Sequence, residues 1–164
     1  MGGKAMGGKR MTLDEAEKIA KVFCAFFPGE AHVCGSIRRK KKEVGDIDVV
    51  IVPMEGREEN VVKTLIGMFG HLKSSKKKPK RSGLFMGAQI DVLIAKPETL
   101  GTHLMHWTGS QGENVRLRRC AKESGWKLSQ LGVFDTAGEN LANGMSEEEV
   151  YTLLGVPYKA PEGR

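Results

Sequence analysis

The sequence contains no uninterrupted apolar run of about 18 residues, the length that a membrane-spanning helix needs. The first residues are basic and lack the apolar block of a signal peptide. Cysteine is scarce, with only 3 residues among 164, an odd number at scattered positions. These absences exclude a membrane span and a disulfide scaffold, and they predict reduced thiols in a cytoplasmic or nuclear setting.

Positive charge is in excess, with 26 Lys and Arg residues against 20 Asp and Glu residues and a net charge of +6. The cations cluster in three blocks, at 38–42, 73–81 and 116–122. Such blocks predict a polyphosphate partner, although a solvated surface would explain them equally well. The apolar fraction of 40% allows a packed core, and the length suits one domain or two small lobes.

Hydrophobic periodicity predicts a first part in which helices and strands alternate. Thr12 and Glu15 have the spacing of a capping box, which marks the start of a helix. The spacings predict helices at 12–27 and 58–69, strands at 31–35, 44–52, 84–86 and 90–95, and an exposed connection at 73–81. After Pro97 they predict helices at 98–107 and 113–124, a hairpin at 128–134 and a helix that begins at Ser146.

Three aspartates interrupt the apolar pattern of the predicted strands. Asp46 and Asp48 are two positions apart, so their side chains share a face, and Asp91 belongs to another strand. If those strands are neighbours, three like charges converge, which is costly unless a cation neutralises them. Oxygen donors in this pattern predict a Mg²⁺ site suited to displacement at phosphorus. The alternative is an edge strand whose aspartates face solvent.

A pattern of glycine and arginine upstream of these aspartates suits phosphate binding. Gly35-Ser36 follows a predicted strand, and a glycine there lets backbone amides approach an anion closely. Arg38 and Arg39 come next, and arginine makes bidentate contacts with phosphate. Gly45 directly precedes the first aspartate and permits a tight turn into the strand. The whole pattern is more specific than any of its parts.

The combined pattern resembles the palm signature of the nucleotidyltransferase superfamily and, more narrowly, that of the family X or polymerase beta-like DNA polymerases. The second part of the chain is similar to the thumb of that family, with an aromatic pair, Thr-Gly-Ser, Asn and Arg within 106–118 and Tyr-x-x-Pro-Glu-x-Arg at 158–164. The resemblance implies an α+β fold, in which a nucleotidyltransferase palm with a mixed sheet and helices precedes a mainly helical thumb with a short hairpin.

The resemblance also implies a domain organisation, with a flexible basic tail at 1–10, a palm domain at 11–97 and a thumb domain at 98–164. This organisation is similar to the minimal palm-plus-thumb form known among viral members. The lyase domain and the helix-hairpin-helix fingers of larger members have no counterpart here, so 5′-deoxyribose phosphate lyase activity is not expected. A viral or a cellular origin stays open.

Roles carry over to individual positions. Asp46, Asp48 and Asp91 are expected to be catalytic and to bind two Mg²⁺ ions, which Mn²⁺ could replace. The residues expected to bind the nucleotide are Gly35, Ser36, Arg39, Gly45, His106, Trp107, Gly109, Ser110 and Asn114. The cations expected to contact DNA are Lys40, Lys41, Lys42, Lys76, Lys77, Lys78, Lys80, Arg81, Arg116 and Arg118.

Three features of these motifs carry specific expectations. The family has a cis peptide in its thumb motif, which is expected here between Gly109 and Ser110. His106 stands where the family usually has Tyr. Gln89 stands where the family usually has an Arg that positions the third aspartate, which predicts slower or differently tuned catalysis.

The resulting hypothesis is a template-directed DNA polymerase that adds dNTPs to a primer 3′-OH, with short-gap filling in DNA repair as its expected use. Gapped or primer-template DNA and a dNTP are the expected partners of a monomer that makes no membrane contact. Two alternatives stay open: a nucleotidyltransferase with another acceptor, such as a protein hydroxyl or an RNA end, and a weakly active DNA-binding repair module. The presence of all three aspartates argues against the second alternative.

Overall fold

The computed structural model describes residues 10–70 and 80–164. The chain divides into two compact units, here called the first unit, which extends to Ile94, and the second unit, Ala95–Arg164. Helices are combined with a mixed sheet and with antiparallel strand pairs, which confirms the predicted α+β fold. None of the helices in the described part of the chain is both long and apolar enough to cross a bilayer.

The first unit is built on a four-stranded sheet. The strands of the first unit are Met11–Thr12 (β1), Ala31–Val33 (β2), Glu43–Val44 (β3), Ile47–Ile51 (β4), Lys80–Phe85 (β5) and Ala88–Ile94 (β6). Its helices are Leu13–Cys24 (α1), Gly35–Arg38 (α2) and Glu58–Phe69 (α3). Strands β1 and β3 form a separate pair, and the other four form the sheet. The sheet has the order β2-β4-β6-β5, with β4 parallel to β6 and the two outer pairs antiparallel. Strand β4 is therefore interior, and the edge-strand alternative for its aspartate is wrong.

The start of helix α1 shows how the local sequence sets an element. Thr12 Oγ1 accepts a hydrogen bond from the Glu15 amide at 3.2 Å, and the Thr12 amide donates to Glu15 Oε2 at 2.9 Å, which confirms the predicted capping box. The helix ends at Cys24 rather than at the predicted Phe27, because the chain turns towards Gly29, whose φ is +75°. Phe27 nevertheless packs in the core of the first unit.

All four strand predictions in the first unit differ from the structure in their bounds; those at 31–35 and 90–95 differ by no more than two residues at either end, and the other two differ more. The predicted strand at 44–52 is divided, because Glu43–Val44 pair with β1 whereas Ile47–Ile51 pair with β2 and β6. The strand predicted at 84–86 begins earlier, at Lys80, where the sequence predicted an exposed connection. Gly and Lys are depleted in strands, but antiparallel pairing with β6 outweighs this preference. The preceding residues of the basic block, up to 79, lie outside the described residues.

The apolar core of the first unit explains where the aspartates project. Ile47 and Val49 of β4 and Ile90 of β6 are fully buried and pack in the same core cluster as residues of α1 and α3. Because side chains alternate along a strand, Asp48 and Asp91 project from the opposite face of the sheet.

The second unit is mainly helical. It contains 3₁₀ turns at Pro97–Thr99 and Pro161–Gly163, helices Leu100–Thr108 (α4), Gln111–Glu123 (α5) and Glu147–Leu153 (α6), and a hairpin of Lys127–Ser129 (β7) and Gly132–Phe134 (β8). Helix α4 begins later than predicted because the residues from Pro97 form the tighter 3₁₀ turn. Ser146 begins α6 as predicted, since its Oγ accepts from the Glu149 amide at 3.2 Å.

A buried carboxylate, Glu113, links α5 to α6 and to the segment that follows α6. Its oxygens accept hydrogen bonds from Arg116 at 2.7 and 3.1 Å, from Tyr151 at 3.0 Å and from Lys159 at 3.3 Å. The bond from Arg116 is the largest of the causes that lower the pKa of Glu113 to about 2. This carboxylate is therefore strongly stabilised in its charged form.

Arg164 forms a second buried ion pair in the same unit. Its guanidinium donates to Glu147 Oε1 at 3.0 Å, and its central carbon lies 5.3 Å and 5.5 Å from the ring centres of Tyr151 and Tyr158. The ion pair and the two aromatic contacts fix the 158–164 segment against α6.

Candidate functional site

The parallel pairing of β4 and β6 brings the three aspartates together. Asp48 is directly opposite Asp91 in the register of the two strands, and Asp46 immediately precedes β4. Asp91 is 2% exposed, whereas Asp46 and Asp48 are half-buried. The condition on which the predicted convergence depended, that the two strands are neighbours, is therefore met.

Two of the three carboxyl groups, those of Asp46 and Asp48, have raised pKa values. Burial, followed by the charge of Asp91, raises the pKa of Asp48 to about 7. The same two causes, in the same order, raise the pKa of Asp46 above its ordinary value. The positive charge of Lys80 opposes both shifts. The fully ionised cluster therefore requires a cation close to it.

Both oxygens of Asp91 have partners within the sheet. Oδ1 accepts from Ser82 Oγ at 2.6 Å and from Gln89 Nε2 at 3.1 Å, and Oδ2 lies 2.5 Å from Lys80 Nζ. Gln89 thus contacts the third aspartate, as the family's Arg was expected to do, but without a charge. The cation comes instead from Lys80 on the adjacent strand, which the sequence had suggested only as a DNA contact.

The donor set of the cluster suits a hard divalent cation. Carboxylate oxygens are the ligands that Mg²⁺ prefers. Across residues 10–70 and 80–164, no group of three or more His, Cys, Asp or Glu side chains is arranged to hold a metal ion. The aspartate cluster still fits Mg²⁺, because that ion is usually bound through one or two carboxylates together with substrate phosphates.

Gly35 begins α2 in contact with Asp48. Its φ is +60°, and a Cβ atom added there would lie 2.2 Å from Asp48 Oδ2, so both its conformation and its close approach require glycine. The sequence pattern pointed to this position through phosphate binding, but it did not reveal the contact with Asp48.

Several residues that were expected to bind the nucleotide phosphates line an open hollow beside α2. It is lined by Arg10, Ser36, Arg39, Lys41, Lys42, Glu43 and Gly45. Lys40, in the same basic block, turns away with a φ of 57° and pairs instead with Glu17 at 2.5 Å. The hollow therefore presents a mostly cationic surface to an anion.

The thumb-like motif occupies the junction of α4 and α5 in the second unit. The Gly109–Ser110 peptide is cis, which confirms the expectation from the resemblance. Ser110 then caps α5, since its Oγ accepts from the Glu113 amide at 3.3 Å. Asn114 donates to the His106 carbonyl at 2.9 Å, which ties α5 to the end of α4.

Both side chains of the aromatic pair, His106 and Trp107, contact polar partners. Arg118 Nη2 lies 3.2 Å from His106 Nδ1, and burial, followed by the Arg118 charge, lowers the pKa of His106. Because a guanidinium can only donate, this His106 nitrogen accepts and the ring is neutral. Trp107 Nε1 donates to Gln130 Oε1 at 3.1 Å, a contact that the sequence motifs did not indicate.

The cations expected to contact DNA are distributed unevenly. Lys76, Lys77 and Lys78 lie outside the described residues. Arg116 is engaged with the buried Glu113. Arg118 lines a second open hollow in the second unit, together with His106, Lys122, Trp126, Lys127, Leu128, Ser129 and Gln130.

Two family models match the chain. The model described as DNA polymerase beta palm matches residues 10–80, and the model described as DNA polymerase beta thumb matches residues 103–164. The chain belongs to the family X DNA polymerases. Members of this family use divalent metal ions, in agreement with the oxygen donors of the carboxylate cluster.

Individual family X relatives match most of the chain. DNA polymerase/3′-5′ exonuclease PolX of Bacillus subtilis (strain 168) is 31% identical over 137 residues, which are 79% of this chain and 23% of the bacterial protein. Repair DNA polymerase X of African swine fever virus (isolate Pig/Kenya/KEN-50/1950) is 27% identical over 136 residues, which are 79% of this chain and 78% of the viral protein. The chain thus spans about a quarter of the bacterial family X relative.

A solved structure has the same fold. The ternary P/T complex of Leishmania infantum polymerase beta matches with a TM-score of 0.72 at 21% identity, over 95% of this chain and 77% of that chain.

Proposed function

We propose that this family X member is a template-directed DNA polymerase that adds dNTPs to a primer 3′-OH and fills short gaps in DNA repair. The observation that carries the proposal is the register that sets Asp48 beside Asp91, with Gly35 against the Asp48 carboxylate. Nucleotidyl transfer requires carboxylates and a triphosphate site in one place, and the hollow beside α2 adjoins this cluster. The relatives are themselves named DNA polymerases, which supports the same reaction.

In this proposal the first unit carries the chemistry. Ser36 and Arg39 hold the β- and γ-phosphates, and Asp46, Asp48 and Asp91 hold two Mg²⁺ ions or Mn²⁺ in their place. When bound, such ions lower the pKa of the attacking hydroxyl and stabilise the charge on the departing pyrophosphate. Asp91 lies next to the primer 3′-OH, whose oxygen bonds to the α-phosphorus as the bond to pyrophosphate breaks.

The second unit reads the nascent base pair. Trp107 and the Gly109–Ser110 backbone lie against the sugar and exclude a 2′-hydroxyl, and Asn114 contacts the minor-groove edge of the base. His106 contacts the nucleotide, and Arg118 contacts the template strand. The hydrogen bonds from Arg118 and Asn114 to His106 support this role, because they hold these groups in one arrangement before a substrate arrives.

The remaining parts of the proposal concern partners and setting. The basic residues outside the triphosphate site bind the DNA backbone, and the protein acts as a monomer. A reducing, intracellular compartment is supported by the three described cysteines, Cys24, Cys34 and Cys120, because none of them is part of a disulfide.

Extension of a primer across a short gap, with Mg²⁺ or Mn²⁺, tests this function. Asp91→Asn is expected to reduce extension by about 10³-fold or more, because it removes a catalytic carboxylate, while DNA affinity measured by anisotropy stays within about twofold. Asp14→Asn, on the exposed side of α1, is the matched control and should extend as wild type does.

Other outcomes would redirect the proposal. Undiminished extension by Asp91→Asn would contradict it. Template-independent addition, or labelling of a protein hydroxyl, would favour a transferase with another acceptor. DNA binding without incorporation in either metal would favour a repair module.

A further inference from the structure

Asp91 can offer only one oxygen to an incoming ligand while its hydrogen bonds from neutral side chains persist. Oδ1 is held by two neutral donors, Ser82 directly across the strand pair and Gln89 on the same strand. Among the residues that the structure describes, Oδ2 has one partner, Lys80. A cation that binds Asp91 while the neutral hydrogen bonds persist must therefore take Oδ2, the atom that Lys80 occupies.

The exposure of the two partners shows which of them can move. The Asp91 side chain is 3% exposed and fixed on an interior strand, whereas the Lys80 side chain is 45% exposed. Lys80 lies at the first position of β5, on the same face as Ser82, and its four-carbon stem can carry the ammonium outward into solvent. The pair can open without movement of the backbone.

The influence of Lys80 extends beyond Asp91. Besides its contact with Asp91, its charge acts on Asp46 and Asp48, where it favours the ionised form. One ammonium thus partly neutralises three carboxylates, which a divalent ion would do more completely.

We propose that Lys80 is the resident counterion of the carboxylate cluster, and that a divalent cation must displace it from Asp91 Oδ2. Lys80 therefore sets the cation concentration at which the site fills. This inference rests on the proposed function, because it takes the cluster to be the metal site of the polymerase. The displaced ammonium is then free to turn towards solvent or towards an anionic substrate.

Binding of Mn²⁺ alone, measured by titration calorimetry and by the loss of the free-ion electron spin resonance signal, tests this inference in the absence of DNA and nucleotide. Lys80→Met removes the competing charge and keeps the length of the stem. It should bind Mn²⁺ roughly three- to tenfold more tightly than wild type, the scale expected for a half-exposed ion pair. Lys18→Met, which removes the same charge from an exposed pair on α1, should stay within about twofold of wild type.

The outcomes separate this inference from the function on which it rests. Wild-type binding with unchanged or weaker binding by Lys80→Met would overturn the counterion role and leave the polymerase proposal standing. An equal gain in Lys18→Met would also overturn it, because the effect would then be one of net charge. Absence of Mn²⁺ binding in every variant would overturn the counterion role, whereas the polymerase proposal is tested separately by gap extension, in which substrate phosphates complete the metal site. Lys80→Gln, checked for folding by circular dichroism, should also bind Mn²⁺ more tightly than wild type. This second variant keeps the inference testable if Lys80→Met does not fold.

Discussion

Both units contain carboxylates that are buried or half-buried, but the charges of the neighbouring side chains differ in sign. In the first unit, Asp48 faces Asp91 across parallel strands, and its pKa is raised to about 7. In the second unit, Glu113 faces Arg116, Lys159 and the Tyr151 hydroxyl, and its pKa is lowered to about 2. Protonation of Asp48 therefore removes an electrostatic repulsion, whereas protonation of Glu113 weakens its ion pairs.

This difference separates a carboxylate that is proposed to act in the chemistry from a carboxylate that stabilises the fold. Like charges held together on a rigid sheet cost folding free energy, and they are useful only when a cation or substrate arrives. Opposite charges that join two helices and an irregular segment contribute to folding in the absence of any ligand. The same physical quantity, the shift of a carboxyl pKa, thus distinguishes the two roles.

The largest expected effect comes from removing the charge of Glu113. Glu113→Gln should lower the free energy of unfolding by about 2–3 kcal/mol near neutral pH, because the buried Tyr151 and the two half-exposed cations lose a charged, buried acceptor. Its depressed pKa means that wild type holds this contribution above pH 4.5 and loses it as the pH falls towards 2. Urea unfolding at several pH values measures both effects.

Glu123→Gln, at an exposed position of α5, is the matched control. It should leave stability unchanged within about 0.5 kcal/mol. Equal losses in the two variants would contradict the special role of Glu113.

A smaller loss is expected where the first unit brings glycine against a carboxylate. Gly35→Ala should destabilise by about 2 kcal/mol, because alanine is strained at this φ and its Cβ would collide with Asp48. Gly29→Ala has a similar φ but meets no atom within 4 Å, so it should cost only about 1 kcal/mol. The difference between their thermal unfolding free energies isolates the collision, and an absent difference would show that Asp48 yields freely.

The smallest effect has the opposite sign. With chelator present, Asp48→Asn should stabilise the protein by about 1 kcal/mol at pH 8, because it removes a repelled charge. The pKa of Asp48 is raised from 3.8 to about 7, so wild type loses stability as the pH rises through this interval. The gain of the variant should therefore shrink from pH 8 to pH 4. A gain that does not depend on pH would contradict this origin.

Sequence reasoning succeeded where the signal is local. Helix Glu58–Phe69 has the predicted bounds because one apolar face and a following glycine define it. The capping box of Thr12 and Glu15 required only two residues three positions apart. The pairing of Asp48 with Asp91 was reached conditionally, because spacing shows which face an aspartate occupies but not which strands are neighbours.

Contacts that depend on register could not be read from the sequence. Lys80 belonged to a basic run that resembled an exposed connection, and only the antiparallel pairing of β5 places it near Asp91. The contact of Arg116 with Glu113 follows helical spacing and was within reach. The contact of Lys159 with Glu113 could not be predicted, because 46 positions separate the two residues.

The hydrogen bond from Trp107 to Gln130 has a practical consequence. Indole fluorescence responds to the partner of the ring N–H, and the chain has only 2 tryptophans. With Trp126 replaced by Phe, the emission would come from Trp107 alone. The protein would then carry an intrinsic optical reporter at the position proposed to face the sugar, and nucleotide approach could be followed in real time without a label.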